Sequence, residues 1–252
     1  MKIREIRADH CSIHILPVIK GLVSETQSVK NAFEAVRPDT VAISLSKEEL
    51  EGLRSMPDDY EPELTRYEEM YAKGLSKFGD VAAPPPCYVA AIELADHERV
   101  PLVPVDLDEE AYTELYCAAV PGTTLFRHST RTWLLKRKNF KASTPEEFVK
   151  AWDRAVNKLE GFEIIEAKRT ESMAQGILRA SATSKSLLAV VEVERADEVQ
   201  RIVDDECSGY MRIERGKGFS KATSRSPRGW PRSRHRRTDS WPAQSAGLCS
   251  MS

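Results

Sequence analysis

No stretch of the chain approaches the ~20 consecutive apolar residues that span a bilayer, which sets aside a helical membrane protein. The opening MKIREIRADH alternates charged and apolar side chains and matches neither a signal nor a transit peptide. A cytoplasmic location is the expectation. CxxC pairs are missing as well. The five cysteines, Cys11, Cys87, Cys117, Cys207 and Cys249, are scattered, which argues against a zinc ribbon or a disulfide framework and leaves buried structural thiols as the expected role of most. The turn PVIKGLVS, where a strand runs into a helix, has neither GxGxxG nor GxxxxGK[ST] spacing, so nucleotide binding has little support there.

What is present is enough chain, 252 residues, for one α/β domain with or without a tail. Charge divides it. From Ser208 onward there are ten Lys/Arg and two Asp/Glu, whereas the first 207 residues hold 27 basic and 37 acidic side chains. An acidic body therefore carries a basic tail. Residues 208–252 are rich in Ser, Arg, Pro and Gly and lack helical or strand period, the composition expected of a disordered segment. Three readings of the tail stay open: a nucleic-acid-binding extension, an unselective flexible one, and the product of a shifted reading frame in a GC-rich gene.

Within the body, KIREIR and SIHILPVI read as two strands joined by the turn Ala8–Cys11. Ser24 and Gln27 have capping-box spacing, and Val29, Ala32, Phe33 and Val36 share one helical face. TVAISL is a buried β-branched strand followed by a second box, Ser46 with Glu49. The two strands and their helix predict a βαβ unit. A helical insertion over about 47–100 carries Leu64, Tyr67, Tyr71, Leu75 and Phe78 at spacings of three and four. PLVPVDL is a third core strand with Asp108 as the N-cap of the next helix. LFRHSTRTWLLKRKNF reads as a basic helix or a pair of turns. Thr144-Pro145 opens a helix striped with Phe148, Val149, Trp152, Val156 and Leu159. A helix over 168–182, the strand SLLAVVEV and a final helix ADEVQRIVDDE complete the body. The expected class is α/β: a mostly parallel central sheet with an N-terminal hairpin, flanking helices and a helical insertion in a domain of residues 1–207.

Few groups stand where chemistry would need them. His10 and His14 could ligate a metal, but no carboxylate or cysteine pattern joins them, and ordinary hydrogen-bonding roles are favoured. Asp106 at the end of the third strand, with Asp108, offers a divalent-cation site or a general base, against plain helix capping. Lys20 and Gly21 precede a helix N-terminus that could hold an anion. Arg127, His128, Arg131, Lys136, Arg137 and Lys138 could meet nucleic acid or an acidic membrane, or simply form a solvated face.

In order and spacing, VSETQSV, FEAVRPDTVAISL, AAIELADHERVPLVPVDLDEEAYTEL, RTESMAQGIL, LLAVVEV and ADEVQRIV resemble the TraB/PrgY/GumN family, relatives of the Tiki, ChaN and erythromycin-esterase proteins, over about residues 10–205. The resemblance implies an α/β fold with a site at the strand ends. There the family has a Gly-x-x-His turn after the first strand, a Glu on the second and a Gly-x-Gly-His turn late in the chain, in some members around a metal for hydrolysis or proteolysis. Here Leu22 stands near the first His, Ser44 at the Glu, Glu192 and Glu194 at the glycines, and Arg195 at the second His, while a Glu-Arg pair becomes Lys168-Arg169. Leu, Ser and Arg cannot assemble a catalytic metal site.

The expectation is a catalytically degenerate member, a pseudoenzyme with no cofactor that binds a peptide, a small anion or a partner protein. Lys20, Ser44, Asp106, Arg169, Glu194 and Arg195 would line its pocket, with Arg169 and Arg195 on an anion and Asp106 orienting them. Two alternatives are kept. One is a metal-dependent hydrolase or peptidase that gathers Asp106, Asp108, Glu192 and Glu194 around a divalent cation. The other is nucleic-acid binding through the basic helix and tail.

Overall fold

The computed structural model describes residues 2–8, 10–57, 60, 62–124 and 140–216, the side chains of 160 and 209–216 apart. Its sheet is built from β1 (Arg4–Arg7), β2 (Ser12–Val18), β3 (Thr40–Ile43), β4 (Leu102–Pro104) and β5 (Ser186–Glu192). They lie in the order β1-β2-β5-β3-β4. Only the β1–β2 hairpin is antiparallel; β2–β5, β5–β3 and β3–β4 are parallel. This is the mixed α/β class that the sequence predicts.

β5 is the centre of the sheet, and its apolar run follows from being covered on both faces. Successive side chains point to opposite sides of a strand. Leu188 and Val190 join Leu16, Val41 and Ile43 on one face, under α1 (Glu25–Val36) and α4 (Pro86–Glu98). Leu187, Ala189 and Val191 join Ile13, Ile15 and Ala42 on the other, under α7 (Glu160–Ser181) and α8 (Val193–Gly216). Between α1 and α4 the chain makes α2 (Lys47–Arg54) and α3 (Arg66–Leu75). α5 (Glu109–Ala119) and α6 (Pro145–Val156) follow β4. Tyr71 and Leu75 of α3 pack with Phe148, Val149 and Trp152 of α6 over Ile19 and Leu22, just beyond the end of β2.

Several local expectations change on folding. Ser24 precedes α1 but makes no side-chain cap, because its backbone is already helical (φ −61°, ψ −21°) rather than extended. Gln27 instead donates to Asn31 Oδ1 at 2.7 Å. The second box is present: Ser46 accepts from the Glu49 amide at 3.1 Å and Glu49 accepts from the Ser46 amide at 2.8 Å. Thr65 and Glu68 form another that the sequence reading passed over. β2 and β3 are separated by β5, so they are not neighbours in a simple βαβ unit. α4 falls within the span read as an insertion, yet it lies against the sheet beside α1 and shares its core cluster; its run CYVAAIELADHERV, apolar almost all round, suits a central packed helix. α7 begins well before residue 168, and α8 runs past Cys207 into the segment assigned to the tail.

Of the cysteines, Cys11, Cys87 and Cys207 are buried and Cys117 is exposed, all unoxidised; Cys249 lies outside the described residues, as do Arg127, His128, Arg131, Lys136, Arg137, Lys138 and residues 217–252. No helix among the described residues is long and apolar enough to cross a membrane.

Candidate functional site

The topology places a crevice at one point. β2 and β5 are adjacent, yet α1 after β2 covers one face and α8 after β5 covers the other. Neighbouring strands whose following helices diverge leave a gap outside their carboxyl ends, where open α/β sheets take ligands. Lys20 follows β2 into this gap through Gly21, whose φ of +97° lies in the left-handed region that favours glycine. Glu192 ends β5 opposite Val18, and α8 starts at once, carrying Glu194 and Arg195 in its first turn.

A single guanidinium organises the buried charges. Arg169, on the sheet-facing side of α7, donates through Nε and Nη2 to Asp106 Oδ2 at 3.1 and 2.6 Å. Its Nη1 reaches Glu166 Oε2 at 3.1 Å and its Nη2 reaches Glu192 Oε1 at 3.3 Å. Charge-assisted contacts of this forked kind fix geometry as well as charge. Lys20 Nζ approaches Glu192 Oε1 at 3.5 Å. Arg195 bonds Asp153 of α6 through Nη2, which also lies 2.5 Å from Glu166 Oε2. Ser44, after β3, meets the Tyr88 hydroxyl at 2.9 Å, and Tyr88 donates to Glu192 Oε2 at 3.3 Å.

Protonation follows from this network. Burial alone would raise the Glu192 carboxyl, but Lys20 and Arg169, helped by Ser44 and Arg195, bring it down to about 2. Glu194 goes the other way. Burial, opposed by Lys20 and reinforced by Glu192, lifts it to about 7. The three carboxylates around Arg169 outweigh its burial and hold it charged.

The six residues expected to line a pocket belong to one network at the strand ends, but only Lys20, Arg169, Glu194 and Arg195 line either space; Ser44 and Asp106 do not. The roles differ as well. Arg169 and Arg195 are not left open to an anion: Asp106, Glu166, Glu192 and Asp153 already neutralise them. Lys20 likewise turns inward to Glu192 rather than to the start of α1. Asp108 is the residue that does not join. It caps α5, accepting from the Ala111 amide at 2.8 Å. Asp106 and Glu192 share Arg169 instead of facing a common ion, and among the described residues no group of three His, Cys, Asp or Glu side chains is arranged to hold one. His10 contacts the Ala182 carbonyl at 3.0 Å, and His14 pairs across the hairpin with Glu5.

Glu166, Asp153, Asn157 and Tyr88 were missed. Glu166 had a signal, since it stands three residues before Arg169, the spacing at which helical side chains meet. Tyr88 had another: a hydroxyl inside the apolar helix CYVAAIEL requires a buried partner.

Two spaces with shared walls adjoin the network. An inner cavity of about 40 Å³ is lined by Lys20, Tyr67, Trp152, Asn157, Glu194 and Arg195 among others. An outer groove of about 770 Å³ runs between α6, α7 and α8 and shares Asp153, Asn157, Glu166, Glu194 and Arg195 with it. No protein-family model matches the chain, and a search of curated proteins returns no match.

Proposed function

We propose that the chain is a TraB-like protein whose hydrolytic site has degenerated, and that it binds a peptide or partner protein in the groove beside that site. Three positions at which the chain departs from the family's motifs each follow the carboxyl end of a strand. Leu22, near the place of a family His, is buried in an apolar cluster. Ser44, at the place of the Glu, is tied to Tyr88. Arg195, at the place of the late His, is bound to Asp153 and Glu166.

The observation that carries the reading is the Arg169 clasp on Asp106, Glu166 and Glu192. A general base needs a free lone pair within reach of its substrate, and a catalytic metal needs convergent ligands around an open position. Carboxylates fixed on a guanidinium serve neither purpose. A small anion is the less favoured ligand, because both arginines are already neutralised.

The test incubates the full chain with a mixed peptide pool, with and without zinc, manganese or magnesium, and reads retention and cleavage by mass spectrometry. Retention without cleavage is expected. It should be abolished by Ala167→Trp, which fills the groove from the exposed side of α7. Cleavage that Asp106→Asn, Glu192→Gln or Glu194→Gln removes would overturn the reading in favour of a hydrolase.

A further inference from the structure

Five buried side-chain polar atoms lack a hydrogen-bond partner among the described residues, and three of them, Glu194 Oε2, Asn157 Oδ1 and Arg195 Nε, belong to side chains lining the inner cavity. Native interiors leave few such atoms, and each asks for an explanation. Two of the three are acceptors. The surrounding charges are also out of balance. Lys20, Arg169 and Arg195 face five carboxylates: Asp106, Asp153, Glu166, Glu192 and Glu194. Four of these contact a lysine or arginine within salt-bridge distance. Among the described residues Glu194 does not, although it lines both the cavity and the groove.

Once Glu194 is ionised, the network is thus short of a cation at one defined place. We infer that the inner cavity is a seat for a single primary ammonium group, held by Glu194 and Asn157, with the rest of its molecule lying in the outer groove. This rests on the reading of the chain as a binding protein and names the chemistry of its ligand.

Size, shape and polarity agree with such a ligand. One water needs about 10–15 Å³ on the same measure, so about 40 Å³ is room for a small polar head such as an ammonium group. Tyr67 and Trp152 line the same cavity with ring centroids 5.1 Å apart, and aromatic rings attract a desolvated cation. Five carboxylates against three cationic side chains line the outer groove, so its field draws a positively charged molecule inward. The same chemistry is offered by a free alkylamine and by a lysine side chain of a peptide.

The test titrates the full chain at pH 8 by calorimetry and ligand-observed NMR with n-butylammonium, n-butanol and butyrate. A second arm uses acetyl-Gly-Lys-Gly-amide and its Nε-acetylated form. Butylammonium should bind and butanol and butyrate should not; acetylating the lysine should abolish peptide binding. Glu194→Gln, which keeps the shape and removes the charge, should weaken ammonium binding roughly tenfold or more, and Asn157→Ala should weaken it also. Tighter binding of the peptide than of butylammonium identifies a protein lysine as the source; the reverse identifies a free amine.

Equal binding of butanol, or an unchanged Glu194→Gln titration, would overturn the ammonium seat, as would failure of both amines to bind. Intact peptide in those cases leaves the non-catalytic reading standing. Conversely, an amine that binds through Glu194 while the peptide is cleaved would overturn that reading and keep the seat.

Discussion

Arg169 and Asp106 are 63 residues apart in the chain and joined by a fork of two donors, Nε at 3.1 Å and Nη2 at 2.6 Å. Both side chains are almost wholly buried. The pair couples α7 to the end of β4, and through Glu192 it couples both to the centre of the sheet.

Breaking one side of this arrangement should be costly. Arg169→Met leaves three buried carboxylates without their common partner, and loss of one member of a buried ion pair costs about 3–5 kcal/mol. Arg169→Lys keeps the charge but loses the fork, and a smaller loss is expected. Urea denaturation of the three proteins, followed by circular dichroism, measures both effects.

Stability should depend on pH in two opposed windows. The Glu192 carboxyl falls from an ordinary 4.5 to about 2 in the fold, so its contribution is complete above 4.5 and is lost as pH drops toward 2. The Glu194 carboxyl rises from 4.5 to about 7, so the folded state holds a proton that the unfolded chain has released. Its contribution is complete below 4.5 and is lost as pH climbs through 7. The groups setting this are Lys20, Glu192, Arg195 and Asp153, with Tyr67 and Tyr71 of α3 and Glu166 and Arg169 of α7 around the same cavity. Glu194→Gln should therefore raise the urea midpoint more at pH 8 than at pH 5. An equal gain at both values would contradict the assignment.

Gly176 lets α7 approach the segment that carries Asp106. A Cβ there would stand 2.7 Å from Val105 Cβ and 3.1 Å from Val105 Cα, and overpacking of this kind costs about 1–3 kcal/mol. Gly176→Ala should lower the thermal midpoint and weaken the Arg169–Asp106 fork. The second effect appears as reduced hydrogen-exchange protection at the Leu107 amide, which bonds Asp106 Oδ1 at 2.7 Å.

The two serine–helix junctions should respond differently. Ser46→Ala removes a hydroxyl that caps α2 and is expected to cost about 1 kcal/mol. Ser24→Ala removes no cap and should be close to neutral. Chemical denaturation of the single variants decides it.

That last contrast shows what was legible in the sequence. Both serines have the same spacing to a Glu or Gln three residues on, but a box also needs an extended N-cap backbone, which Ser46 has and Ser24 lacks. The strands were legible because burial on both faces demands the apolar runs of β3 and β5. Lys20, Ser44, Asp106, Arg169, Glu194 and Arg195 were legible as strand-end and helix positions, and they do converge. Which carboxylate each cation takes was not. Asp153 reaches Arg195 across 42 residues, and only the packing of α6 against α8 puts the two within reach. Periodicity reports which face of a helix is buried; it says nothing about which other helix arrives there.

The position of β5 has a consequence for how the chain comes to be folded. Among the described residues it is the last strand made, and it is the middle strand of the sheet, with β2 on one side and β3 on the other. Until Ser186–Glu192 has been synthesised, β2 and β3 each present a bare hydrogen-bonding edge, the arrangement that invites pairing with another chain. Contacts between such distant segments also form slowly. A fragment ending before Ser186 can hold neither a continuous sheet nor the buried charges at its edge, and the nascent chain must keep two apolar strands apart until β5 emerges.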